Sequence, residues 1–129
     1  MGTAVDPLTE VLAFFEEWRP SLDAMSAALA KRFTDRTVWE NVGISKTVGH
    51  AEATAFMDGF ARMYPIGTCE VIVHHAAASG NAVLTERTDN FYDEDGKLVL
   101  SIPLMGVFEM DGPRIAAWRD YFDTAKGLS

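Results

Sequence analysis

The chain has 129 residues, of which 48% are hydrophobic and 23% charged, and it carries a formal net charge of −8. A chain of this length fits one core, so residues 1–129 are expected to form a single domain. No basic run could neutralise a line of phosphates, which sets nucleic acid aside as a partner. The only cysteine, Cys69, excludes an intramolecular disulfide and suits a reducing compartment. The opening MGTAVDPLTE has an acidic residue and no basic n-region, so no secretory leader is expected. Apolar stretches fall short of the roughly 18 residues a membrane span needs. The expectation is a cytoplasmic protein with no membrane partner.

Helical spacing dominates the first half of the chain. From Pro7 to about Arg19 the residues Leu8, Val11, Leu12, Phe14, Phe15 and Trp18 recur at three- and four-residue intervals. Asp6 before Pro7 is a start signal, an N-cap followed by proline in the first turn. Pro20 breaks this segment, and a second helix opens at Pro20 or Ser21 with Leu22, Met25, Leu29 and Phe33 on one side. TVWENV at 37–42 reads as a short strand leading into a loop at Gly43. Gly49 precedes a third helix bearing Ala53, Phe56, Met57, Phe60 and Met63, which Pro65 closes.

After Gly67 the period changes to two. Strands are predicted over 69–78, 82–92, 97–110 and 114–124, separated by short breaks rich in Gly, Asn and Asp. Helices followed by this meander give an α+β domain, with helices packed on one face of a strongly curved mixed or antiparallel sheet that encloses a pocket.

Two strands carry charges where apolar residues are expected. In AVLTERTDNFY, Arg87 and Asp89 share one face, about 6.5 to 7 Å apart along the strand. In RIAAWRDYFD, Ala116, Trp118, Asp120 and Phe122 share a face, with Ile115, Ala117 and Arg119 on the other. A carboxylate between two large aromatic residues is either buried with a partner or set at a pocket mouth, because burial alone costs several kcal/mol. The planar fork of Arg87 can hold a carboxylate on either side. Spacing leaves two readings open: a structural Asp–Arg–Asp network tying two strands, or a pair of carboxylates held in different protonation states for acid and base chemistry. Phe60, Met63, Ile102, Leu104, Trp118 and Phe122 follow the inward pattern and are either pocket walls or plain core.

The segments TERTDNF at 85–91, LMGVFEMDGPRI at 104–115 and WRDYFD at 118–123 resemble those of limonene-1,2-epoxide hydrolases, as do WENV at 39–42 and the helix start at 49–51. The resemblance covers most of the chain beyond about residue 30, and it is the ordered combination of motifs that is specific. It implies a cone-shaped fold of the nuclear transport factor 2 type (the NTF2-like or SnoaL-like superfamily), a homodimer, and one-step opening of an apolar epoxide by water without a cofactor. It further implies Asp120 as the base for the attacking water, Asp89 as the acid for the epoxide oxygen, and Arg87 bridging the two. Asn41 falls on the position of a water-holding asparagine. Trp39 stands where a tyrosine is expected, and an indole N–H donates but cannot accept. Competing readings are an isomerase, dehydratase, cyclase or lyase on the same fold, or a non-catalytic small-molecule-binding dimer.

The remaining polar residues carry less. His50, His74 and His75 lack metal-ligand spacing, so no metal is expected, and the adjacent His74 and His75 are predicted on opposite sheet faces. Cys69 reads as a structural thiol. Gly96, Gly106 and Gly112 read as turn or bulge glycines rather than a phosphate loop.

Overall fold

The computed structural model describes residues 6–125; the first five residues, where part of the leader reading falls, and the last four lie outside it. Helix α1 runs Pro7–Trp18, with extended Asp6 as its N-cap and proline in its first turn. Thr9 Oγ1 donates to Asp6 Oδ2 at 2.6 Å. The stripe Val11, Phe14, Phe15 and Trp18 is buried. Helix α2, Leu22–Arg32, starts where Ser21 Oγ accepts from the Ala24 N–H at 3.0 Å. It ends one residue before Phe33, which the spacing assigned to its apolar side. Phe33 is extended, opens the first strand, and is buried all the same.

Six strands follow or interleave: β1 Phe33–Asn41, β2 Ser45–Val48, β3 Thr68–Ser79, β4 Ala82–Tyr92, β5 Leu98–Asp111 and β6 Arg114–Tyr121. Helix α3, His50–Met63, lies between β2 and β3. The strands form one mixed sheet in the order β2, β1, β6, β5, β4, β3. Among the described residues only the β1–β6 pair is parallel, as the long crossover between them allows. β1 is longer than the sequence suggested, and β2 was expected to be loop. Both are short on apolar alternation, because polar Thr34, Asp35 and Arg36 begin β1 and β2 is a four-residue edge.

Two bulges change which residues face the core. Between Val73 and His75 the β3–β4 register shifts, so His74 and His75 both reach outward, to Thr88 Oγ1 at 2.9 Å and to Glu86 at 3.8 Å. The predicted opposite faces would need an unbroken pleat, which the extra residue interrupts. A second shift, between the Glu109–Ala117 and Met110–Ile115 pairs, turns Ile115 inward on the same side as Trp118, where it is fully buried.

The core lies between α1 and the inner face of the sheet. Phe14 packs edge-on to Phe108 and Trp118 at 6.1 and 5.5 Å, and Trp118 lies flat between Trp39 and Phe108 at 4.7 and 5.1 Å. Each such pair contributes about 0.5–1.5 kcal/mol beyond its buried area. At the far end Arg32 is buried and pairs with Glu10 and Glu17 of α1 while donating to the Pro113 carbonyl at 2.9 Å, which ties both helices to the β5–β6 turn.

Candidate active site

The inward positions of β4 are Val83, Thr85, Arg87, Asp89 and Phe91, all buried. A guanidinium in this row requires that every N–H find an acceptor. Arg87 Nε donates to Asp89 Oδ1 at 3.0 Å, and Nη2 contacts Asp89 Oδ2 at 3.4 Å. The same Nη2 donates to Asp120 Oδ2 at 2.8 Å, and Nη1 to Thr85 Oγ1 at 3.1 Å. The Thr85 hydroxyl in turn donates to the Gly106 carbonyl at 3.3 Å. The flat cation lies against the rings of both Phe15 and Phe108, with centroids 5.0 and 5.8 Å away. The remaining Asp120 oxygen, Oδ1, accepts from Trp118 Nε1 at 2.9 Å. Arg87 is 0% exposed, Asp89 5% and Asp120 4%.

Burial raises the pKa of both carboxyls, and the Arg87 charge beside them opposes that rise. The balance leaves Asp89 pushed up to about 6, with the neighbouring Asp120 charge adding to the rise. Asp120 is also raised, against bonds from Arg87 and Trp118 that favour its ionised form. Two carboxylates and one arginine would leave a net negative charge in an apolar interior, and a single retained proton removes it.

Asp89 and Asp120 both line a cavity of about 70 Å³, while Arg87 lies behind them. Asn41 lines the cavity too, and rings from five elements wall it: Trp18 of α1, Trp39 of β1, Phe56 and Phe60 of α3, Phe91 of β4 and Trp118 of β6. Of the predicted walls, Phe60, Ile102, Leu104, Trp118 and Phe122 line it. Met63 does not. It is the last residue of α3 and 73% exposed, because the helical stripe runs on past the surface it covers. Phe56 and Met57, about two turns earlier, take that place.

Asn41 pairs in register with Asp120 across the parallel β1–β6 ladder, and its Nδ2 donates to Ser45 Oγ at 3.1 Å. Trp39 lies flat on Trp118, and its indole N–H is buried with no partner among the described residues. Its geometry makes it a wall rather than a ligand of Asp120.

Sequence reasoning missed Gly106. It sits mid-strand in β5, paired with Thr85 and Asp120, with no positive φ and no turn. A Cβ there would fall 2.5 Å from Asp120 Oδ1 and closer still to Arg87 Nη1. The missing side chain makes room for the ion pair. A glycine inside the otherwise apolar run LMGVF was the available signal of such a close approach.

The Cys69 thiol is buried and pushed well up by desolvation, which leaves it a packed neutral group. Among the described residues no three His, Cys, Asp or Glu side chains come together as metal ligands, and no helix is long and apolar enough to cross a membrane.

The family model for the limonene-1,2-epoxide hydrolase catalytic domain matches residues 6–129. The epoxide hydrolase EphG of Mycobacterium tuberculosis is 42% identical over 101 residues, which are 78% of this chain and 62% of that one. The chain thus spans less than two thirds of the length of this curated relative. A solved M. tuberculosis epoxide hydrolase of the same type superposes with a TM-score of 0.73 at 34% identity, over 95% of this chain and 84% of that one. A SnoaL-like protein from Shewanella denitrificans shares the fold at 15% identity, with a TM-score of 0.76 over 92% and 91% of the two chains. The fold is accordingly α+β and NTF2-like, three helices on a curled, unclosed sheet. With the family match running through every strand that supplies Arg87, Asp89 and Asp120, the chain belongs to the limonene-1,2-epoxide hydrolase family.

Proposed function

We propose that this protein is an epoxide hydrolase that uses no cofactor and adds water to an apolar epoxide in one step, giving a vicinal diol. The observation that carries the proposal is the pair of buried carboxylates facing one aromatic cavity and joined behind it by a single arginine. Asp120 takes a proton from a water held beside Asn41 as the water oxygen bonds to one epoxide carbon. The C–O bond on that carbon breaks, and the departing oxygen receives the proton of Asp89. Arg87 touches neither water nor epoxide; it keeps both carboxyls in place and prevents the two from being protonated at the same time. Trp39, with Trp118, forms the flat wall against which the apolar part of the substrate lies. Terpene-like, cyclic and aryl epoxides fit such a wall by shape and polarity. Proton donor and acceptor each supply about 10²- to 10⁴-fold.

The test is incubation with terpene, cyclohexene and styrene epoxides in ¹⁸O-labelled water. Labelled diol is expected from the wild type, falling by about 10²- to 10⁴-fold in Asp120→Asn and in Asp89→Asn. Unchanged turnover in Asp120→Asn would remove the assigned base. Isomerised or dehydrated product without diol would favour the isomerase, dehydratase, cyclase or lyase reading on the same fold.

The same proposal takes residues 1–129 as one domain acting as a homodimer. The outward faces of β4, β5 and β6 carry Leu84, Met105 and Tyr121, each 43–48% exposed, and Met105 and Tyr121 are paired neighbours. Pairing of two copies would cover that apolar strip. Sedimentation is expected to give twice the chain mass for the wild type and the chain mass for Met105→Asp; a wild-type monomer at micromolar concentration would exclude the dimer.

A further inference from the structure

Two carboxylates on one arginine start as near equals. Asp89 receives two N–H contacts from Arg87, at 3.0 and 3.4 Å, whereas Asp120 receives one from it, at 2.8 Å. On the arginine alone, Asp89 would be the better-held anion and Asp120 would be left with a buried oxygen lacking a partner. The second donor to Asp120 is the indole of Trp118, two residues away on the same strand face. That donor has a fixed direction. Trp118 is 1% exposed and lies flat between Trp39 and Phe108, with Phe14, Trp18 and Phe33 at its edges. An indole N–H cannot accept, so a proton on Asp120 Oδ1 would face another hydrogen and the bond would be lost. The longest contact in the set is the one at Asp89 Oδ2, where a proton displaces least.

Resting on the acid–base reading above, we propose that Trp118 is a positioning residue that decides which carboxyl is the base: its indole N–H holds Asp120 as the carboxylate and leaves the single proton of the pair on Asp89. Arg87 aside, the groups around the pair carry no charge that sets the two carboxyls apart. The neutral thiol of Cys69 lies on β3, and α1 presents uncharged Phe15 to the arginine. Beside Asp120, β1 offers neutral Asn41, α3 offers Phe56, Met57 and Phe60, and β5 offers Gly106.

The experiment is carbon NMR titration of ¹³C-carboxyl-labelled aspartates, assigned with Asp89→Asn and Asp120→Asn, in wild type and Trp118→Phe. Phenylalanine keeps a ring in the stack and removes the donor. In the wild type Asp120 is expected to titrate at lower pH than Asp89. In Trp118→Phe the Asp120 midpoint is expected to rise by about one to two units, the effect of losing a bond to a charged group. The acid limb of the kcat–pH profile should rise with it, which a loss of packing alone would not produce. Where Trp118→Phe fails to fold, replacement of Trp118 by benzothienylalanine preserves shape and removes only the N–H. The expected order in a protein that turns over no epoxide would support the role of Trp118 and remove the hydrolase reading. An Asp120 midpoint that does not move in either variant, or an Asp89 that titrates first in the wild type, would overturn the assignment.

Discussion

Replacing Arg87 with methionine is expected to destabilise the fold by about 3–5 kcal/mol at pH 8, because it leaves two buried carboxylates without their cation. The loss should shrink as the pH falls. Burial already raises Asp89 from 3.8 to about 6 in the folded state. A group raised on folding contributes stability that is present below its unfolded pKa and is lost as the pH rises through its folded pKa. Without the opposing charge of Arg87 both carboxyls rise further, so the variant stays closer to the wild type near pH 4 and departs from it between pH 4 and 8. Urea denaturation at both ends of that range reads the difference. An equal loss at both would mean that the arginine contributes packing against Phe15 and Phe108 and little charge compensation.

Gly106→Ala is expected to lower turnover by about 100-fold or more, since displacements of about 1 Å at a reacting group have effects of that size. The new methyl group would meet Arg87 Nη1, Asp120 Oδ1 and, at 3.3 Å, Thr85 Oγ1. Those atoms end side chains that elsewhere could swing away, but here each is buried and bonded on its other side. Arg87 and Asp120 must therefore separate, which loosens the residue proposed as the base. The stability cost is about 1–3 kcal/mol, as for other overpacked interiors. The strand itself has no reason to refuse alanine, because the glycine has no positive φ. Kinetics with circular dichroism distinguish the two levels. A folded variant with wild-type turnover would show that the triad tolerates the methyl group and that Gly106 matters little to it.

A period of two made Arg87 and Asp89 legible as neighbours on one face of β4 and Asp120 as a charge between aromatic residues on β6, although both faces of β4 mix polar with apolar residues and the pattern did not say which looks inward. Turn residues at 79–81, 93–96 and 111–113 likewise marked the ends of the long strands to within a residue or so, apart from β6, which stops at Tyr121 and leaves Phe122 beyond it. Helical stripes placed α1, α2 and α3, although a stripe cannot say where the surface beneath it ends, and so it offered Met63 in place of Phe56 and Met57.

The sequence by itself determined which charges share a strand face, and that helices cover one side of a long-stranded sheet; it left open which face of β4 looks inward. Tertiary structure alone decided how those charges differ from one another. Strand faces follow from local alternation, whereas the partners of a side chain depend on cross-strand register, and register is set by bulges and crossovers far along the chain. The parallel β1–β6 pairing sets Asn41 beside Asp120. The β4–β5–β6 register sets Gly106 against both members of the Arg87–Asp120 pair. The flat stack of Trp39, Trp118 and Phe108 aims one indole N–H at one of two carboxylates, and that direction exists only once three strands have been packed against α1.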